Sequence, residues 1–147
     1  MSGAALLDLN VLVALFDPDH VHHEPAHEWF AENRRAGWAT CPLTENGLVR
    51  VLSNAAYSPA HETPAVIVRR LREFADSGQH VFWADDVSLR DPRLFAWAAP
   101  GRHRQVTDIY LLGLATRWDG RLATLDRGIP VSAVTGADRG HLEVIPV

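Results

Sequence analysis

The sequence predicts an α/β fold, a three-layer α/β/α sandwich around a mainly parallel sheet of five strands. Three observations carry that reading. The hydrophobic pattern switches repeatedly between short β-like runs and helical spacing. Two apolar runs end on acids, Asp8 after Ala4-Ala5-Leu6-Leu7 and Asp126 after Leu122-Ala123-Thr124-Leu125, as expected where parallel strands open onto a ligand-binding edge. The length of 147 residues suits one domain with a sizeable core and is short for two, so residues 1–147 are read as a single domain.

Residues 4–8 read as the first strand. A short apolar helix from Asn10 to Phe16 follows, and Pro18 with Asp19 marks a turn. The next helix is expected from Pro25 to Arg35, with Ala26, Trp29 and Phe30 on its buried face and Gly37 beyond its end. Trp38 to Cys41 reads as the second strand. Glu45 then opens a helix that carries Leu48, Val49 and Leu52, with Thr44 as its N-cap. Ser58-Pro59 starts a linker, and Val66, Val68, Leu71 and Phe74 define another helix ending near Gly78. His80 to Ala84 is the third strand. From Asp85 to Gln105 the pattern is least regular, which fits an active-site loop. Ile109, Leu112, Ala115 and Trp118 mark one face of a helix from Val106 that Gly120 terminates. Arg121 to Leu125 and Leu142 to Val147 complete the five strands.

Composition narrows the class. A hydrophobic fraction of 47% and a charged fraction of 22% belong to a globular chain. Cys41 is the single cysteine, which excludes an internal disulfide and fits a reducing compartment. No run reaches the roughly 18 apolar residues of a membrane span, and no secretory signal opens the chain, so a cytoplasmic location is expected. All 14 basic residues are arginine, the residue suited to bidentate phosphate contacts. The net charge of −4 argues against a polyanionic partner until the four acids Asp8, Glu45, Asp108 and Asp126 are set aside, because they account for all of it.

Those four acids are the candidate chemistry. Each sits where an apolar segment meets a turn or the start of a helix, on what should be one rim of the sheet. Gathered together they would repel one another and raise their own pKa values, unless a hard cation that favours oxygen ligands neutralised them. An all-oxygen set suits Mg²⁺ or Mn²⁺ better than zinc. Such an ion activates water and neutralises charge at phosphorus, so the expected reaction is metal-assisted hydrolysis of phosphodiesters. Asn10 and Thr124 are positioned to orient the carboxylates. Any one of these acids alone would more naturally be a helix cap or turn residue; the constellation carries the inference.

Four motifs in order, Leu6-Leu7-Asp8-Leu9-Asn10-Val11-Leu12, Cys41-Pro42-Leu43-Thr44-Glu45, Val106-Thr107-Asp108-Ile109-Tyr110-Leu111 and Leu122-Ala123-Thr124-Leu125-Asp126-Arg127, resemble those of PIN-domain nucleases. The VapC-type toxins of bacterial toxin–antitoxin pairs are the nearest resemblance. It implies a PIN-like sandwich, with Asp8, Glu45, Asp108 and Asp126 as catalytic, metal-binding acids and Asn10, Thr107 and Thr124 in support. It also implies Mg²⁺- or Mn²⁺-dependent cleavage of structured RNA such as tRNA or rRNA, homodimerisation, and inhibition by a VapB-like antitoxin that places a basic side chain in the acidic pocket.

The remaining features are weighed beside that reading. Arg102, His103, Arg104 and Arg127 flank two of the acids and are candidate RNA contacts, with a solvated loop as the alternative. Trp83 and Trp97 are expected in the core, and Arg69, Arg70 and Arg72 on the wet face of a helix. His23-Glu24-Pro25-Ala26-His27 matches the spacing of a zinc protease, but Pro25 as the first helical residue would leave His23 outside the helix. Phosphatase-like readings lack their lysine or second acid, and no glycine-rich phosphate loop is present. The competing class is a non-catalytic PIN-like module that binds RNA or protein.

Overall fold

Five short strands, β1 (Ala5–Leu7), β2 (Trp38–Thr40), β3 (His80–Phe82), β4 (Arg121–Thr124) and β5 (Leu142–Val144), pair in parallel in the order β3-β2-β1-β4-β5. The computed structural model describes residues 3–97 and 103–147. Ala5 pairs with Trp38 on one side and Arg121 on the other, so β1 is central. The chain builds outward from β1 to β3, returns to β4 beside β1, and continues outward to β5. The direction of winding therefore reverses between β1 and β4, and a crevice opens at their C-terminal ends.

Alternation along the strands divides the apolar residues between two cores. Ala5, Leu7, Trp38 and Ala123 face a layer made by α1 (Leu9–Phe16), α2 (His23–Asn33), α3 (Pro42–Leu52) and α4 (Pro64–Ala75). Ala4, Leu6, Ala39, Cys41 and Leu122 face α5 (Val106–Arg117) and the packed segments around Trp83, Phe95 and Ile129. This is the expected three-layer α/β/α sandwich, with an all-parallel sheet. Among the described residues, no helix is long and apolar enough to cross a membrane. The outer strand β5 is held by Glu143, which accepts from Trp29 Nε1 of α2 and pairs with Arg121 of β4.

Several local expectations are corrected. Cys41, rather than Thr44, caps α3, because Pro42 is well placed at the first helical position; the buried Thr44 hydroxyl reaches back to accept from Cys41 N at 3.1 Å. Helix α2 begins at His23, so Pro25 occupies its third position, where its missing N–H still costs no helical hydrogen bond. After α5 the left-handed residue is Asp119, at φ 55°, not Gly120. Gly120 is required for space instead: a Cβ there would lie 2.5 Å from Ala4 O and 2.6 Å from the Trp83 ring.

Trp83 is buried as expected, whereas Trp97 is 45% exposed, stacked on Phe95 and donating to Leu89 O. Arg69 and Arg72 are solvated, but Arg70 packs over the Phe16 ring, donates to Phe16 O and pairs with Glu62. From Asp85 to Trp97 the irregular chain folds onto the α5 core through Phe95, which bridges to Val134. The adjoining 98–102, Arg102 included, lie outside the described residues.

Candidate active site

Asp8 follows β1 directly and caps α1, its Oδ1 accepting from Leu9 N at 2.7 Å. Its other oxygen accepts from the Thr124 hydroxyl at 2.7 Å, across the β1–β4 crevice. Thr124 is itself fully buried and works as a hub. Its Oγ1 accepts from Asp126 N at 3.0 Å and from Asn10 Nδ2 at 3.4 Å, while Asn10 Oδ1 accepts from Leu125 N at 3.2 Å. Strand ends and one hydroxyl thus hold Asp8 and Asp126 beside each other. The Asp126 turn is tied down further by Gly128 N, which donates to Asp126 Oδ1 at 2.8 Å.

Asp108 enters from the other side, on the first turn of α5. Burial, the Asp8 charge, and hydrogen-bonding contact and repulsion with Asp126 push its carboxyl up to about 7. Asp8 is also raised, chiefly by burial, with Thr124 and Leu9 N opposing and Asp126 adding to the rise. Hydrogen-bond donors that fully satisfied these carboxylates would have lowered them. Asp8 and Asp108 are therefore carboxylates whose charge is under-compensated, with Asp126 adding to the repulsion on both. As they stand, no three His, Cys, Asp or Glu side chains among the described residues converge into a closed ligand cage. The oxygen-only chemistry and the mutual repulsion fit a hard cation, which would have to draw the carboxylates together.

The chain is 44% identical over 132 residues to ribonuclease VapC39 of Mycobacterium tuberculosis, covering 90% of this chain and 95% of that protein. It is 42% identical over 141 residues to ribonuclease VapC44 of the same organism, covering 96% and 99%. The chain belongs to the VapC ribonuclease family. A further relative, ribonuclease VapC38, is 47% identical over 125 residues, 85% of this chain and 86% of its own length. No family model matches the chain.

In this VapC-type chain the fourth acid stands apart. Glu45 is in the first turn of α3, but its Oε2 accepts from the Thr40 hydroxyl at 2.6 Å. The same hydroxyl lies 2.7 Å from His80 Nε2. Thr40 has one proton to give, so when it donates to Glu45, His80 must donate to Thr40 from Nε2. Burial lowers the His80 pKa, which favours that neutral imidazole, although the Glu45 charge opposes the shift. Glu45 lines a groove of about 520 Å³ beside α3, and the cleft at Asp8 and Asp108 is a separate depression of about 520 Å³.

The cleft is lined by Asn10 and the exposed Thr107. His103 and Arg104 stand in the short turn before α5, and Arg127 follows Asp126; all three are exposed and none lines the cleft. Sequence reasoning missed Asn46 and Arg50, which line it from α3, and His20, which lines it from the loop after α1. The available signal was the four-residue spacing of Asn46 and Arg50, which places them on one face of a helix directly after Glu45.

The zinc-protease spacing is also settled locally. Both His23 and His27 are helical, with ring centroids 5.0 Å apart. His23 Nδ1 is engaged 2.7 Å from Ala14 O, and no third ligand joins the pair among the described residues. The motif packs α2 against α1.

Proposed function

We propose that this VapC-family chain is the toxin of a type II toxin–antitoxin system, an endoribonuclease that hydrolyses RNA phosphodiesters with Mg²⁺ or Mn²⁺. The observation that supports the reading is the electrostatic coupling of Asp108 to Asp8 and Asp126 near the β1–β4 switch point, with burial and these neighbours pushing Asp108 up to about 7. Names of the relatives support the ribonuclease class. Asp8, Asp108 and Asp126 would hold the ion, and Glu45 would join them through water or by leaving Thr40. A divalent cation bound there would supply charge neutralisation at the phosphate and a more acidic water.

The chain's own residues do the rest. Thr124 and Leu9 N hold Asp8 in one rotamer, and Gly128 N holds Asp126. Asp108, whose burial and acidic neighbours raise its proton affinity, would be ionised once a cation offset that repulsion, and so would be free to serve as a ligand. Attack on phosphorus with departure of the 3′ oxygen leaves a 5′-phosphate and a 3′-hydroxyl. Structured RNA, tRNA or rRNA, is the proposed substrate, with a VapB-like antitoxin as partner and a homodimer as the assembly.

The test is incubation of the purified protein with total RNA in Mg²⁺, Mn²⁺ or EDTA, followed by sequencing of the new ends. Fragments that need the metal, carry 5′-phosphates and vanish in Asp8→Asn are expected. Cyclic phosphate ends would show attack by the ribose 2′-hydroxyl instead. RNA retention without any cutting would favour the non-catalytic module.

A further inference from the structure

Asn46 and Arg50 both line the cleft that holds Asp8 and Asp108, and both line the neighbouring groove that holds Glu45. One helical turn apart on α3, they form the ridge between the two acidic depressions. Leu9 sits under Gly47, where a Cβ would come 2.9 Å from Leu9 Cδ2, so α3 lies close against α1 at this point. That close approach keeps the ridge beside Asp8, the residue preceding Leu9.

The ridge is cationic and uncommitted. Arg70, Arg93, Arg117 and Arg121 each pair with an acid, whereas Arg50 is exposed and makes no ion pair or side-chain hydrogen bond among the described residues. An anionic strand approaching three carboxylates is repelled unless a fixed positive charge meets it nearby. A guanidinium can take two phosphate oxygens at once, and the Asn46 amide adds a neutral donor.

Resting on the ribonuclease reading, we propose that Arg50, assisted by Asn46, binds the RNA phosphate that flanks the scissile one, so that the strand crosses α3 between the cleft and the Glu45 groove. Arg50 is a substrate-binding residue in this inference, and its effect falls on affinity more than on the chemical step. Removing one phosphate contact lowers the salt dependence of binding by about one unit of slope and weakens binding broadly across sequences.

The experiment is fluorescence anisotropy of a labelled RNA hairpin with the full chain in EDTA, where cleavage is suppressed, across about 50 to 200 mM salt. Wild type, Arg50→Ala, Arg50→Lys and the charge-matched control Arg69→Ala are compared after circular dichroism has established equal folding. Expected for Arg50→Ala is binding weaker by about 5- to 30-fold with a slope smaller by about one. Arg50→Lys should keep the slope and recover part of the affinity, and Arg69→Ala should match wild type.

In Mn²⁺, Arg50→Ala should raise KM while kcat changes little. If the wild type cleaves RNA and Arg50→Ala binds and cleaves identically, the inference is overturned and the nuclease reading survives. If Arg50→Ala alone loses affinity in a protein that never cleaves, the nuclease reading fails and the phosphate contact stands. A wild type that neither binds the hairpin nor cleaves RNA in Mn²⁺ overturns both.

Discussion

With Asp8 and Asp126 beside it and part of its surface withdrawn from water, the Asp108 carboxyl holds its proton up to about pH 7, against 3.8 for an ordinary aspartate. The folded chain thus binds that proton more tightly than the unfolded chain. The contribution of Asp108 to stability is fully present below about pH 4 and is lost as the pH rises through about 7. In EDTA, thermal melting should show wild type losing stability between pH 4.5 and 8 relative to Asp108→Asn, whose profile should be flatter over that window. Parallel profiles for the two proteins would mean that Asp108 is not strained by its neighbours. None of this was visible residue by residue, since Asp8, Asp108 and Asp126 are 18 or more positions apart and only folding brings their charges together. Glu45 makes the same point in reverse: its place after a strand suggested the shared rim, and a buried threonine and a histidine from β3 turned it aside.

At the scale of elements, the periodicity located the five strands and five α-helices of the described residues, because burial on one or two faces leaves a repeating apolar pattern whatever the partner. The ends were less legible. Gly120 was read as the helix terminator, yet the left-handed position belongs to Asp119, and Gly120 is needed because Ala4 O and Trp83 crowd it. Two adjacent substitutions separate these roles. Gly120→Ala should cost about 1–3 kcal/mol through overpacking against backbone. Asp119→Gly should be neutral or stabilising by up to about 1 kcal/mol, because glycine adopts that conformation without steric cost. Urea midpoints of the two variants measure both; a tolerated Gly120→Ala would show that β1 can move away from the end of α5. The packing of residues 85–97 was likewise hidden, since an irregular segment carries no period from which to read its burial.

For the whole molecule, the excess negative charge is concentrated rather than spread. The formal net charge of −4 equals the formal charge of the four candidate acids, and Asp8 and Asp126 both act on Asp108 electrostatically. An ion that binds only the folded chain stabilises it by about 2.7 kcal/mol at a hundredfold excess over its Kd. Mn²⁺ should therefore raise the melting temperature of the wild type, more at pH 8 than at pH 6, since protons on Asp108 compete with the ion. EDTA should reverse the shift, and Asp8→Asn should abolish most of it. An equal shift in Asp8→Asn would locate the ion elsewhere, with the histidines near the start of α2 as the first place to look.

From the order of residues alone came the layer architecture, the strand-end acids, and the family to which the motifs belong. Local periodicity and chemistry at chain positions are one-dimensional properties that need no partner to be read. Which acids share a field, which one is held aside, and that Asn46 and Arg50 form a ridge between two depressions were decided by the tertiary structure. Those relations depend on distances between strands and helices far apart in sequence, and a carboxylate takes its charge from what surrounds it in space.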